Sequence, residues 1–525
     1  MATITKIKYH ESEFNRLKNI KHGRNWPVVY MLENKREVYI GETTNAYIRF
    51  KQHNENAIRR TLDAAYVIAD DEYNKSATLD TESLLIQYMA ADGVYQLQNG
   101  NGGLANHNYF QRENYRKKFD SLWKQLQDLK LVKHDLVQLQ NSDLFKYSPY
   151  KALTDEQLLL VDNIIETIRT SSSQSFIING EPGTGKTIVG VFLMKYLQEI
   201  PDLNLKVALV VPVTALRKTL KRVFANVKGL SPNMVIGPNE VVGKNYDLLV
   251  VDEAHRLKRR VNLTNYVTHD ISNKTLGLGN EGTQFDWIMR SSKYQIFLYD
   301  ENQSVMPTDI RPQQVKSIHA KSYSLSIQMR VEGGEDYIKF VNDFLALKAQ
   351  YAFETDQYKF VICDTIDQLK TSILAREKEA GLSRLVAGYA WKWQTKGNNP
   401  AAQFDIEIED TKLKWNSVNI DWVNSKNAIN EVGCIHTIQG YDLNYVGVII
   451  GPELKYDPIK KLLNVDKSKY VDFNGKRSIT DPTDLDNYIR NIYKTLLTRG
   501  IKGTYVYAVD PDLRAYMSTL NQKTT

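Results

Sequence analysis

Thiols are scarce in this chain: 525 residues carry only two cysteines, Cys363 and Cys434. Two cysteines exclude a disulfide framework and a thiolate metal site, so a reducing, cytoplasmic setting fits best. Long apolar stretches are lacking as well. The opening MATITKIKYHESEF has no signal-like core, and the longest apolar run, VALVVPV at 207–213, is far short of the ~20 residues a membrane helix needs. No membrane partner is expected. Internal repeats and low-complexity tracts are missing, and with 42% hydrophobic and 25% charged residues nothing suggests extensive disorder. Nor is there a strong charge of one sign. The 68 basic and 61 acidic residues leave +7, which is compatible with a polyanionic partner without demanding one.

What is present is length enough for about three domains. From Pro27, the runs VVYML and EVYIG, separated by the polar ENKR, read as a strand hairpin. The stretch ATLDTESLLIQYMAADG then reads as a helix closed by the turn cluster LQNGNGG. A small α/β domain is therefore expected over residues 1–104. A charged segment with Phe119, Leu122, Trp123, Leu126 and Leu129 on one stripe predicts a helical connector over 105–150. Beyond it, β-branched runs alternate with helical segments: SFIING, KVALVVPV, YDLLVVDEAH, YQIFLYD, KFVICD, RLVAGYA, YVGVIIG and TYVYAVD. Continuous Val/Ile runs between helices indicate parallel strands covered on both faces, hence an α/β fold class with parallel-sheet lobes at 151–330 and 331–525.

Two stretches carry nucleotide chemistry. GEPGTGKT follows the strand SFIIN and opens the helix TIVGVFLMKYL, the context that a G-x-x-x-x-G-K-[ST] loop requires. Gly180, Gly183 and Gly185 let backbone amides converge on phosphate oxygens. Lys186 is placed to reach the β- and γ-phosphates, and the Thr187 hydroxyl to hold magnesium. LLVVDEAH then delivers Asp252 and Glu253 at the carboxyl end of a buried strand, where parallel sheets bind ligands. Asp252 suits the metal's water shell, and Glu253 suits proton acceptance from an attacking water.

In order along the chain, these motifs resemble a superfamily 1 helicase core. LTDEQ with Gln157 is similar to an adenine-reading Q motif, and VALVVPVTALRKTL to motif Ia. FLYDENQSV with Asp300 and Gln303 resembles motif III, and LSIQMR with Arg330 motif IV. CIHTIQGYDLNYVGVIIG resembles motif V, and NIYKTLLTRGIKGTYVYAVD with Arg499 motif VI. The phrasing of GYAWKW, DIEI, KWN and LLTRGIKGTYVY is similar to the bacterial Schlafen group 3-like helicase domains, from about residue 145 onward. The resemblance implies two RecA-like lobes, ATP between them, and Arg330 and Arg499 as finger residues that stabilise charge on the transferring phosphoryl group. Trp391, Trp393, Trp415 and Trp422 either stack on bases or, the favoured reading, fill the core. Residues 256–293, opening RLKRRVNLTNYVTHD, carry a basic cluster, RLKRR, that either contacts nucleic acid or, again favoured, is a solvated charge run.

The N-terminal hairpin resembles the GIY-YIG nuclease family over roughly residues 25–103. VVY with Tyr30 stands for the first triplet and departs from it at two positions, while Tyr39–Gly41 is the second triplet unaltered. Arg49 follows Gly41 by eight residues, His53 lies one helical turn on, and Glu82 and Asn99 match the family's glutamate and late asparagine. The resemblance implies a metal on Glu82, a scissile-phosphate clamp in Arg49, and a tyrosine base, Tyr30 or Tyr39, with His53 assisting. A tyrosine with a free pKa of about 10 needs activation before it can serve.

The whole is expected to be an ATPase coupled to a metal-dependent endonuclease, with ATP and Mg2+ (or Mn2+) as cofactors. DNA is favoured over RNA, and an anti-phage defence, restriction or repair role rests on analogy. The alternatives are an RNA-directed enzyme, or a nucleotide-gated switch whose N-terminal domain binds without cutting. An oligomer or a protein partner fits any of them.

Overall fold

The computed structural model describes residues 2–100, 109–395, 403–477, 479 and 481–521. The end of the LQNGNGG cluster and the expected boundary at residue 104 lie outside them. The chain forms two compact units. One comprises residues 1–163, 187–204 and 220–234, the other 164–186, 205–219 and 235–525.

The first unit is built on a five-stranded sheet in the order β1-β4-β2-β3-β5. Its strands are β1 (Thr3–Lys8), β2 (Arg24–Glu33), β3 (Glu37–Asn45), β4 (Ala64–Ala69) and β5 (Gln96–Leu97). The expected hairpin is β2–β3, in a register that sets Tyr30 opposite Gly41. Its turn is fastened by Asn34 Oδ1, which accepts from the amides of Arg36 and Glu37. Strands β1 and β4 were not legible in sequence, and pair antiparallel with each other. Helix α1 (Ala46–Glu55) is capped by Asn45, whose side chain accepts from Ile48 N at 3.1 Å. It buries Ala46, Phe50 and His53, spaced as one helical face, so His53 faces the core. Helix α2 (Lys75–Asp92) starts on an Asn74 cap and ends at Gly93, whose φ of +70° suits glycine. The connector is the helix α3 (Arg112–Asp128), which buries Tyr115, Phe119, Leu122, Trp123 and Leu126. Phe119 and Trp123 pack on Tyr88 of α2.

The second unit holds two sheets. The six-stranded sheet has the order β11-β6-β10-β9-β7-β8 and is parallel throughout. Its strands are β6 (Gln174–Gly180), β7 (Val207–Val210), β8 (Val235–Ile236), β9 (Tyr246–Val251), β10 (Ser292–Tyr299) and β11 (Ala320–Leu325). The seven-stranded sheet runs β12-β20-β17-β13-β16-β15-β14. Here β12 is Lys359–Ile362, β13 Ser383–Ala387, β14 Ile406–Ile408, β15 Thr411–Trp415, β16 Glu431–Cys434, β17 Leu443–Ile450 and β20 Gly500–Ala508. Only the edge pair β14–β15 is antiparallel in that sheet, and β18 (Leu454–Asp457) with β19 (Leu462–Val465) forms a separate hairpin. The parallel lobes expected from the Val/Ile runs are therefore present. Ile296, Phe297, Val250 and Val251 in one sheet, and Val446, Val448 and Val506 in the other, are fully buried.

Candidate active sites

In the first unit the hairpin and α1 converge on one phenol oxygen. Tyr30 Oη lies 2.6 Å from His53 Nε2 and accepts from Arg49 Nε at 3.3 Å. Tyr30 and His53 are buried, whereas Arg49 is half-exposed and also donates from Nη1 to Gln52 Oε1 at 3.3 Å. Gly41 is glycine because the Tyr30 ring crosses it: a Cβ there would stand 2.5 Å from Tyr30 Cζ and closer still to Oη. Burial, reinforced by Tyr39, holds the Tyr30 phenol well above its ordinary range, against the lowering influence of Arg49. His53 is pushed down to about 3, chiefly by burial and then by the charges of Arg59 and Arg49, so it is neutral at pH 7.

Glu82 is half-buried, and burial followed by the negative charge of Glu42 pushes its carboxyl up to about 7, with Lys75 and Arg49 opposing. Lys75 in turn pairs with Glu42. A desolvated carboxyl beside a second acid is a group that a hard cation would relieve, so the donor chemistry fits a divalent ion on oxygen. Among the described residues no cluster of three or more His, Cys, Asp or Glu forms a metal cage, so such an ion would depend on Glu82, water and a substrate phosphate. Asn99 is buried and clasps the backbone of Ile40, accepting from its N–H at 3.0 Å and donating to its carbonyl at 2.8 Å. It fixes the strand that carries Tyr39.

In the second unit, the loop after β6 turns through Gly183 (φ +91°) and Gly185 (φ +81°). Lys186 Nζ donates to the carbonyls of Gly180 (2.5 Å) and Glu181 (2.9 Å) and lies 3.8 Å from Asp300 Oδ2. Thr187 is the next residue, in the helix Lys186–Glu199. The segment bearing Arg330 is laid against this loop. Met329 N donates to Gly183 O at 2.8 Å, Gln328 Nε2 donates to Pro182 O at 2.6 Å, and a Cβ on Gly183 would meet Arg330 Cβ at 2.8 Å. Arg330 forms a 2.6 Å ion pair with Asp442. Gln303 donates to Asp300 Oδ2 at 2.7 Å.

At the end of β9, Asp252 is buried and accepts from Glu253 N at 3.0 Å. Glu253 itself has φ +51°, a strained conformation for this residue type. Burial alone would push its carboxyl up, but His255 beside it, and then Arg499 and Lys186, hold it down. His255 Nε2 is 2.9 Å from Glu253 Oε2, at an angle poor for N–H donation. Arg499 is buried and donates to Tyr441 O at 3.3 Å, so one arginine reaches the loop and the other acts on Glu253.

Other sequence candidates have a structural account. Gln157 Oε1 accepts from Thr154 N at 3.0 Å while Thr154 Oγ1 accepts from Gln157 N, a reciprocal capping box at the start of Asp155–Thr170. Trp415 and Trp422 are buried, with Trp422 Nε1 donating to Glu431 at 2.8 Å. Trp391 and Trp393 pack against the margin of the core that holds Trp415. In the RLKRR cluster, Arg256 pairs with Asp309, Arg259 donates to the carbonyls of Asp309 and Pro307, and Arg260 pairs with Asp270. Arg256 and Arg259 are thus tied internally, while Lys258 is exposed and the Arg260–Asp270 pair lies at the surface, as the solvated reading expects. Sequence reasoning missed Arg59, Glu42, His255 and Asp442. Of these, His255 and Asp442 lay inside recognised motifs, LLVVDEAH and CIHTIQGYDLNYVGVIIG, without being singled out.

Comparison with known proteins finds a match for each of the two sites. Residues 173–510 match the family described as Schlafen group 3, DNA/RNA helicase domain, and residues 27–86 match the GIY-YIG catalytic domain. An uncharacterized protein of Saccharomyces cerevisiae is 25% identical over 422 residues, covering 69% of this chain and 89% of its own length. Among solved structures, a Bacteroides Pif1 helicase in complex with ADP-AlF3 and ssDNA is 11% identical, with a TM-score of 0.28 over 69% of this chain and 94% of that one. The arterivirus nonstructural protein 10 helicase with DNA is 12% identical, with a TM-score of 0.30 over 67% and 65%. Superpositions this loose carry no argument, so the fold assignment rests on the sheets themselves.

Proposed function

The chain belongs to the Schlafen group 3 DNA/RNA helicase-domain family and carries a GIY-YIG catalytic domain ahead of that region, and on this premise we propose a DNA-directed, ATP-driven endonuclease. Its hydrolase character is twofold, a helicase-like ATPase and a nuclease. We divide it into the nuclease domain at 1–104, the connector at 105–150, and lobes at 151–330 and 331–525. The carrying observation is the Tyr30 oxygen, on which His53 Nε2 and Arg49 Nε converge.

Donors aimed at a phenol oxygen favour its ionised form, so Tyr30 rather than Tyr39 is the base, acting as the phenolate that takes the proton of the attacking water. Arg49 keeps nitrogens beyond that bond to clamp a phosphate bidentately. Glu82 would hold the divalent ion, which supplies charge neutralisation at the scissile phosphate. In the motor, Lys186 and the glycine loop bind the ATP phosphates, and Thr187 and Asp252 would hold its magnesium. Glu253 orients water and accepts its proton, while Arg330 and Arg499 neutralise the charge that develops on the transferred group. Gln157 and Gln303 are placed with the nucleotide on motif grounds. A role in defence, restriction or repair rests on the pairing of motor and nuclease in one chain.

The test is cleavage of labelled duplex, single-stranded and forked DNA, and of RNA, with Mg2+ or Mn2+, with and without ATP. Glu82→Gln is expected to abolish cutting and leave ATP turnover intact, and Lys186→Ala to abolish turnover. Cutting of RNA alone would replace the DNA reading. ATP turnover with no cutting on any substrate would replace it with the switch.

A further inference from the structure

We propose that Arg59 is a positioning residue of the nuclease site: by donating to His53 Nδ1 it fixes the imidazole in the tautomer whose Nε2–H donates to the Tyr30 oxygen. This inference rests on the nuclease reading of the Tyr30 cluster. Arg59 Nη1 lies 2.7 Å from His53 Nδ1. A guanidinium has only donors, so Nδ1 must present its lone pair, and a neutral imidazole then carries its single hydrogen on Nε2. That nitrogen is 2.6 Å from Tyr30 Oη. His53 held in this way cannot accept the Tyr30 proton. It is a second N–H donor beside Arg49, and the pair favours the phenolate, the form in which Tyr30 can take a proton from water.

The local chain places Arg59 for this task. It opens the single turn Arg59–Thr61, and Asn56 Oδ1 accepts from the amides of Ile58 (3.0 Å) and Arg59 (3.1 Å), which sets the turn against the end of α1. The guanidinium carbon lies 3.9 Å from the centroid of the Tyr39 ring. One side chain therefore covers Tyr39 by a cation–π contact and orients the histidine that serves Tyr30. The asymmetry between the two tyrosines, which the triplet motifs leave open, follows from this residue. The buried, neutral state of His53 is consistent with two flanking cations.

The test separates tautomer from packing by donor chemistry. Arg59→Lys keeps a donor-only group, Arg59→Gln offers an amide that donates or accepts, and Arg59→Met offers neither. Ring-nitrogen NMR of the full chain labelled with 15N-histidine, with His53 identified by loss of its signals in His53→Gln, is expected to show protonated Nε2 and unprotonated Nδ1 in the wild type and in Arg59→Lys. Arg59→Gln and Arg59→Met should show mixed tautomers. Single-turnover cleavage is expected to fall by about ten-fold or more in Gln and Met, the scale of one lost hydrogen bond, with KM unchanged and the rate largely restored by Lys. Unaltered nitrogen spectra in Gln and Met, or a Lys variant as slow as Met, would overturn the proposal. If the wild type cuts nothing, the nuclease reading fails, while the nitrogen spectra still decide what Arg59 does.

Discussion

Gly41→Ala puts the smallest possible obstacle where the Tyr30 ring crosses the second strand of the hairpin. The added Cβ would stand 2.5 Å from Tyr30 Cζ, and closer to Oη. Ordinary non-bonded approach is roughly 3.5 Å, so the ring tip must retreat by about 1 Å. It has little room: Tyr30 is fully buried and makes an edge contact with Phe50 at 5.3 Å between centroids. A retreat of that size carries the 2.6 Å contact with His53 beyond hydrogen-bond reach. Overpacking of this kind costs about 1–3 kcal/mol of stability, and a 1 Å misplacement of a reacting group costs on the order of 100-fold in rate. The assay pairs thermal unfolding with single-turnover cleavage, and ATP turnover serves as a control, because the phosphate loop belongs to the other unit. A Tyr30→Phe/Gly41→Ala double variant, which lacks Oη, should regain part of the lost stability but none of the cutting. Cleavage by Gly41→Ala at the wild-type rate with unchanged melting would refute Tyr30 as the reactive group.

At the motor site, Arg330 has two anions to choose between, Asp442 at 2.6 Å and a nucleotide phosphate. Asp442→Asn is expected to tighten binding of a non-hydrolysable ATP analogue by up to about five-fold, the reach of a partly exposed ion pair, as titration calorimetry would show; weaker binding would contradict it. Arg330→Ala should instead lower kcat by about 1,000-fold if it acts as a finger, measured at saturating ATP. Away from both sites, Glu453 is wholly buried, accepts from Tyr493, and is pushed by burial up to about 7. Between 4.5 and about 7 the folded chain keeps a proton that the unfolded chain has lost, so this group lowers stability as pH rises through that window. Over that interval, at 1.36 kcal/mol per decade, the penalty above pH 7 is about 3 kcal/mol. Glu453→Gln should therefore gain on the wild type from pH 5 to about pH 7 and level off above it in denaturant unfolding; parallel stability curves would show that the carboxyl does not titrate there.

Local signals were the legible ones. The glycine loop could be read because strand, turn and helix follow one another directly, and the hairpin because ENKR interrupts two apolar runs. The strands β1 and β11 escaped because TITKIK and AKSYSL are polar segments recruited by partners already in place: β11 lies parallel to β6 and fully buries only Leu325. A period-two or apolar-run test cannot find a strand whose stabilisation lies mostly in backbone pairing to a neighbour. The RLKRR cluster misled for the opposite reason. Two of its charges, Arg256 and Arg259, are matched by Asp309 and by backbone carbonyls from elsewhere in the chain.

The same distinction runs through the nuclease site. Arg49 and His53 at i and i+4 were bound to share a helical face, but spacing alone does not say which is buried. The Asn45 cap and the burial of Ala46 and Phe50 rotate α1 so that His53 goes inward while Arg49 stays at the rim. Arg59 had no such signal, since it sits six residues beyond His53 in a turn with no periodicity, and its meaning depends on which ring nitrogen it meets. A motif constrains which groups react; the groups that hold them in one protonation state need only arrive from somewhere nearby. That freedom makes such residues invisible to spacing, and it is why the tautomer of His53 had to be argued from a 2.7 Å contact rather than from the sequence.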